Sequence, residues 1–180
     1  LNQMDKKLRK EKLKMCKDNL KQLEAQLAST MLKKGAAAQE GDLSEIIRIN
    51  RDGTLLQLPD FKLAQINRVK QIPGSIKAWH LHFNQDEVWY VSPSQHLFVG
   101  LWDIRKNSET ANLSMRLILG GGKSSLIYIP RGVAHGSANF SQYPTDLYSI
   151  VNRIFNSKKP DELRLPWDSL GEEFWQPLKD

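Results

Sequence analysis

The chain has 180 residues, enough for one domain of ordinary size with a sizeable core plus an appendage. It contains no run of about 18 apolar residues and no apolar signal core at its start, which excludes a membrane-spanning helix and argues against export. The net charge of +6 is segregated: residues 1–34 hold ten Lys and Arg against four Asp and Glu, and the remainder holds sixteen of each. A body that binds nucleic acid would carry the basic patch on its own fold, so no nucleic-acid partner is expected.

Residues 5–34 lack Gly and Pro and are rich in Lys, Leu, Glu, Gln and Ala, so a basic amphipathic helix is expected over 1–34. Its apolar residues Leu13, Cys16, Leu20, Leu23, Leu27 and Thr30 are spaced 3-4-3-4-3. That stripe is too short for an independent coiled coil and reads as a packing or dimerisation face. Cys16 is the single cysteine, which excludes an internal disulfide and fits a reducing cytoplasm. Residues 35–41 read as a linker, leaving 42–180 as the folded body.

From Asp42 onward the helical period disappears. Glu45–Asn50 alternates weakly, and the turn Arg51-Asp52-Gly53 would let Thr54–Leu58 pair back as a hairpin. Phe61–Val69 is a further strand candidate. Strand-like runs follow at Ile76–Phe83, Glu87–Ser92, Leu97–Trp102, Met115–Leu119, Ser125–Ile129, Val133–Phe140 and Asp146–Asn152. Short strands at near-regular spacing predict an all-β sandwich or barrel. The tail from Asn156 is too irregular for a strand run and too rich in Trp and Leu for disorder.

Three of the four histidines fall in two of these stretches. His80 and His82 lie two apart on one strand, so they present two imidazoles to one face. The pattern G-x5-H-x-H-x4-E from Gly74 to Glu87, followed by P-x-G-x2-H-x3-N from Pro130 to Asn139, resembles both halves of the cupin superfamily signature. The resemblance implies a double-stranded β-helix, a small jelly roll. One departure is Ser94, where that signature expects glycine. The same resemblance would make His80, His82, Glu87 and His135 ligands of a divalent transition metal, since three imidazoles and a carboxylate suit Zn, Fe, Mn, Ni or Cu.

A narrower resemblance spans about residues 45–178. G-S-I-K-A-W-H is similar to the segment carrying the catalytic histidine of the dTDP-4-dehydrorhamnose 3,5-epimerase family, with Lys77 where that family usually has Arg. W-D-I-R-K-N-S-E-T, I-P-R-G-V-A-H-G and the tail P-D-E-L-R-L-P-W-D-S-L-G-E-E-F-W resemble three further segments of it. What this implies is a homodimeric isomerase of a nucleotide-linked 4-keto-6-deoxyhexose, working without a cofactor. His80 would take the proton beside the ketone. Asp168 would orient His80, and Tyr148 would return the proton on the opposite sugar face. Lys77 and His135 would stabilise the enolate, and Arg131, Arg153 and Arg164 would meet the diphosphate. Two departures from the family, His82 for Gln and Glu87 for Lys, move the site towards the metal reading.

The other conspicuous residues read structurally. His96 lies in a surface turn. The five tryptophans read as packing residues. Gly120-Gly-Gly-Lys123 lacks the second half of a phosphate loop and reads as a turn between strands.

Overall fold

The computed structural model describes residues 37–38 and 41–177. The helix expected over 1–34, with its apolar stripe and Cys16, lies outside the described residues, as does part of the expected linker. Within that linker, β1 (Ala37–Ala38) pairs antiparallel with β2 (Gly41–Asp42). No helix among the described residues is long and apolar enough to cross a membrane.

The expected hairpin forms over a short length: Asn50 N–H donates to the Thr54 carbonyl at 2.8 Å, Leu56 N–H donates to the Arg48 carbonyl at 2.9 Å, and Ile49 bridges Leu55 between them. β3 (Thr54–Leu55) then pairs on with β4 (Leu58–Lys62). The run 61–69 is not one strand. It breaks at Leu63-Ala64 into β4 and β5 (Gln65–Gln71), because the two halves pair with different partners. The other expected strands appear as β6 (Ile76–Leu81), β7 (Glu87–Val91), β8 (His96–Asp103), β9 (Ser114–Gly120), β10 (Leu126–Ile129), β11 (Val133–Ala138) and β12 (Thr145–Val151). One more strand lies in the tail, β13 (Leu163–Arg164), and a 3-10 turn follows at Glu172–Trp175.

Two antiparallel sheets face each other in a cupin-type jelly roll, one in the order β10-β7-β12-β5 and the other β13-β6-β11-β8-β9. Between them Val91, Leu97, Val99, Leu119 and Ile127 are almost fully buried, and each such side chain contributes about 1.5–3 kcal/mol. The interior stays open where the inward positions of β5, β6, β7 and β11 are polar.

The β6–β11 pairing carries an irregularity that shapes this opening. His135 stands opposite His80, but Ser137, two residues on, stands opposite Lys77, three residues back, so β6 holds one extra residue. This bulge turns Lys77 and His80 to the same side. It also brings β6 so close that a Cβ on Gly136 would lie 2.5 Å from the Ala78 Cβ.

The tail packs on the outer face of the second sheet. Phe174 and Trp175 bury against Trp79, with ring centroids 5.0 and 4.8 Å apart. Gly100 makes room for them, since a Cβ there would lie 2.6 Å from Phe174 and 2.8 Å from Trp175. Gly100→Ala is therefore expected to destabilise the protein by about 1–3 kcal/mol through overpacking. A lowered midpoint in scanning calorimetry would show it, and an unchanged midpoint would mean that the tail is not held on this face.

Candidate active site

A cavity of about 1000 Å³ opens between the two sheets. The second sheet lines it with Lys77, His80, His82, His135 and Ser137, and the first with Asn67, Glu87, Trp89, Leu147 and Ser149. The tail closes one side with Lys159, Asp161 and Glu162. The two histidine stretches do converge, because β6 and β11 are hydrogen-bonded neighbours with His80 and His135 in register.

His80 is half-buried, and its Nδ1 lies 2.8 Å from Oε1 of Glu162. A carboxylate only accepts, so Nδ1 carries the hydrogen and Nε2 keeps its lone pair. Burial lowers the imidazole's proton affinity, and although Glu162 opposes this, the net shift is downward. His80 is thus a neutral base at pH 7. The same Glu162 oxygen accepts from Arg164 Nε at 2.8 Å.

His82 donates from Nδ1 to the main-chain carbonyl of Asp161, and its Nε2 lies 3.0 Å from Glu87 Oε1. Burial would lower its pKa, but these two acceptors outweigh burial and raise it. His135 is 3% exposed and donates Nδ1–H to the Val133 carbonyl at 3.0 Å. Burial pushes it down to about 4, so its Nε2 is unprotonated at neutral pH. Glu87 also accepts from Gln85 at 2.8 Å, from Ser149 at 3.1 Å and from the indole of Trp89. Burial would raise its carboxyl, yet the bonds from His82 and Trp89 and the neighbouring imidazoles hold it at about 2.

Several expected site residues lie elsewhere. Tyr148 is turned away from the cavity. Leu147, Ser149 and Val151 line it, so strand alternation sends Tyr148 to the other face, beside the ring of Tyr90. Asp168 is exposed in the turn Pro166–Gly171, and Glu162 stands on His80 in its place. Arg131 is committed to Asp86 by two bonds of 2.7 and 3.0 Å, and Arg164 to Glu162. Arg153 and Lys77 do reach the cavity. His135 cannot donate to an enolate from an unprotonated Nε2. Trp89 is not only a packing residue, since it forms part of the cavity wall and meets the His135 ring edge-on at 5.1 Å.

The expected four-ligand metal set is also reduced. His82, Glu87 and His135 offer ligand atoms within 4.8 Å of one another, and His80 is outside this group. Those three donors fit a transition metal in type, and each imidazole has its Nδ1–H fixed on a carbonyl, which aims Nε2 at the carboxylate.

Sequence reasoning missed Glu162, Asp161 and Lys159. Glu162 and Arg164 lie two apart in P-D-E-L-R-L-P-W, a strand-like alternation, but only the pairing of β13 with β6 sets them beside His80.

No family model matches the chain. It is 34% identical to the spore coat polysaccharide biosynthesis protein SpsL of Bacillus subtilis over 128 residues, 71% of this chain and 80% of that protein. It is 27% identical to the probable low-salt glycan biosynthesis epimerase Agl13 of Haloferax volcanii over 132 residues, 73% and 81% of the two chains. Among solved structures, the fold matches a dTDP sugar isomerase from Desulfovibrio desulfuricans with a TM-score of 0.65 at 22% identity, covering 78% of this chain and 84% of that one.

Proposed function

The chain belongs to the dTDP-4-dehydrorhamnose 3,5-epimerase-like family, and from that premise we propose that it is a sugar-nucleotide epimerase acting beside the ketone of a nucleotide-linked 4-keto-6-deoxyhexose. The observation that carries the reading is the His80–Glu162 pair at the wall of a cavity large enough for a sugar nucleotide. His80 Nε2 takes the proton from the carbon next to the ketone, and Glu162 holds the ring and supports the imidazolium that forms. Lys77 supplies the positive charge for the enolate oxygen. Arg153 and Lys159 at the rim meet the diphosphate. None of the four tyrosines lines the cavity, so in this proposal the return proton is drawn from solvent that enters it. The homodimer implied by the resemblance, and its setting in the cytoplasm, complete the proposal.

The test is solvent-isotope exchange. In deuterated water the protein should place deuterium at a carbon flanking the ketone of a dTDP-4-keto-6-deoxyhexose, read by NMR of the sugar. A sugar nucleotide that binds and never exchanges would refute the proposed chemistry.

A second reading is a divalent transition metal held by His82, Glu87 and His135, because these three donors converge while His80 stays on Glu162. Such an ion supplies Lewis acidity towards a carbonyl oxygen. Elemental analysis should then find about one metal ion per chain, lost in His82→Ala and kept in His80→Ala, in line with a three-ligand set. Metal-free wild-type protein that still exchanges deuterium would remove this reading.

A further inference from the structure

Both orienting acceptors of the site come from one short stretch of the tail. Asp161 gives its carbonyl to His82 Nδ1, and the next residue gives its carboxylate to His80 Nδ1. The Asp161 side chain itself touches neither histidine. Its Oδ1 accepts from the Phe83 N–H at 3.2 Å and from Asn84 Nδ2 at 3.1 Å, and its Oδ2 accepts from the Asn84 N–H at 2.8 Å. These bonds fasten the start of the tail strap to the turn that leaves β6. Farther along, Leu163 and Arg164 pair with Leu81 and His80, and Leu165 exchanges two main-chain bonds of 3.0 and 3.2 Å with Trp79. The far end of the strap is thus held by the sheet and by the buried Phe174 and Trp175. At the near end Glu162 meets His80 between two anchors: β13 with Arg164 Nε on its C-terminal side, and the Asp161 carboxylate on its N-terminal side.

We propose that Asp161 is a positioning residue for the reaction: by capping the turn at Phe83–Asn84 it sets the strap in the register that puts Glu162 on His80. The proposal rests on the epimerase reading, in which His80 is the base. The pair it serves is partly open to water, with side-chain exposures of 24% for His80 and 31% for Glu162. Solvent at such a site competes for both partners as soon as the strap shifts. A misplacement of about 1 Å at a reacting group costs on the order of 100-fold in rate.

Asp161→Ala should therefore lower kcat for deuterium exchange by about 10- to 100-fold while KM changes far less, since Lys77 lies on β6 outside the capped turn and Arg153 meets that turn only through the Asn84 carbonyl, at 2.7 Å. Asp161→Asn keeps the shape and the oxygen that serves Phe83 and the Asn84 side chain but turns an NH2 towards the Asn84 N–H, so it should recover part of the loss. An independent readout is 15N–1H NMR of the imidazoles. Wild-type His80 should show a downfield Nδ1–H, identified by its absence in His80→Ala, and that signal should vanish in Asp161→Ala with the fold otherwise intact. Wild-type kcat and an unchanged His80 signal in Asp161→Ala would overturn the proposal. So would a loss confined to KM or to thermal stability. The two readings fail separately, because exchange by the wild-type protein decides the epimerase and the His80 signal in the variant decides the positioning.

Discussion

His80→Ala is expected to lower deuterium exchange beside the ketone by about 10²- to 10⁴-fold, the span that a positioned general base contributes. Four observations set this size. His80 lines the cavity, its Nδ1–H is held by Glu162, its Nε2 is unprotonated at neutral pH, and burial keeps it so. Its neighbours offer no replacement. The Nε2 of His82 is engaged with Glu87, and His135 lies deeper, at a ring-centroid distance of 6.4 Å. Sugar-nucleotide binding should survive, because the rim cations remain. Tyr148→Phe is the informative companion: it should leave exchange near the wild-type rate, since that ring faces away from the cavity. Full activity in His80→Ala would place the base elsewhere. A large loss in Tyr148→Phe would mean that the β12 strand turns the other way in the working enzyme.

The second large effect concerns Glu87. This carboxylate is 6% exposed and gathers bonds from His82, Gln85, Trp89 and Ser149. Glu87→Ala removes the acceptor for all four donors and leaves the raised-pKa His82 without its counter-charge. Breaking a buried pair in this way costs about 3–5 kcal/mol. The sign of the pH dependence follows from the same contacts. The folded carboxyl is held at about 2 against an ordinary value of 4.5, so the unfolded chain takes up the proton first as pH falls. The stabilisation, about 3 kcal/mol by linkage, is complete above about pH 5 and is lost on the way down to pH 2. His135 acts in the same direction at higher pH. Its folded value of about 4 lies below the ordinary 6.5, so stability also falls between pH 6.5 and 4. Urea unfolding across pH 6 to 3 should show wild-type stability dropping throughout, with a shallower slope below about pH 5 in Glu87→Ala. The depressed carboxyls of Asp86, Asp103, Asp161 and Glu162 supply the slope that remains, and the raised His82 acts in the opposite direction only above about pH 6.5. A variant as acid-sensitive as the wild type below pH 5 would show that Glu87 does not govern that limb.

Much of the architecture can be read from alternation and turns. The seven runs from Ile76 to Asn152 each lie within about two residues of an observed strand, because both ends of those strands are marked by Gly, Pro, Asn or Ser. The run Phe61–Val69 misleads because no such mark stands at its break, and its one Asn, Asn67, lies inside β5. Leu63 and Ala64 form the break only because β4 returns to β3 while β5 pairs with β12. The four-ligand metal set is misleading for a related reason: side chains spaced for one task are reassigned when an acceptor arrives from elsewhere in the chain. Glu162 draws His80 away from the group that His82, Glu87 and His135 form.

What the sequence alone determined is local: the strand-rich body, the two histidine-bearing stretches and the family resemblance of the tail. All three rest on period-2 patterning and fixed spacing, which a chain carries wherever it folds. The tertiary structure decided which groups meet. It chose Glu162 over Asp168, turned Tyr148 outward, and brought Lys77 inward through one extra residue in β6. Those outcomes depend on register and bulges between segments about 55 to 80 residues apart. A shift of one residue there exchanges the two faces of a strand, and no pattern within a strand records it.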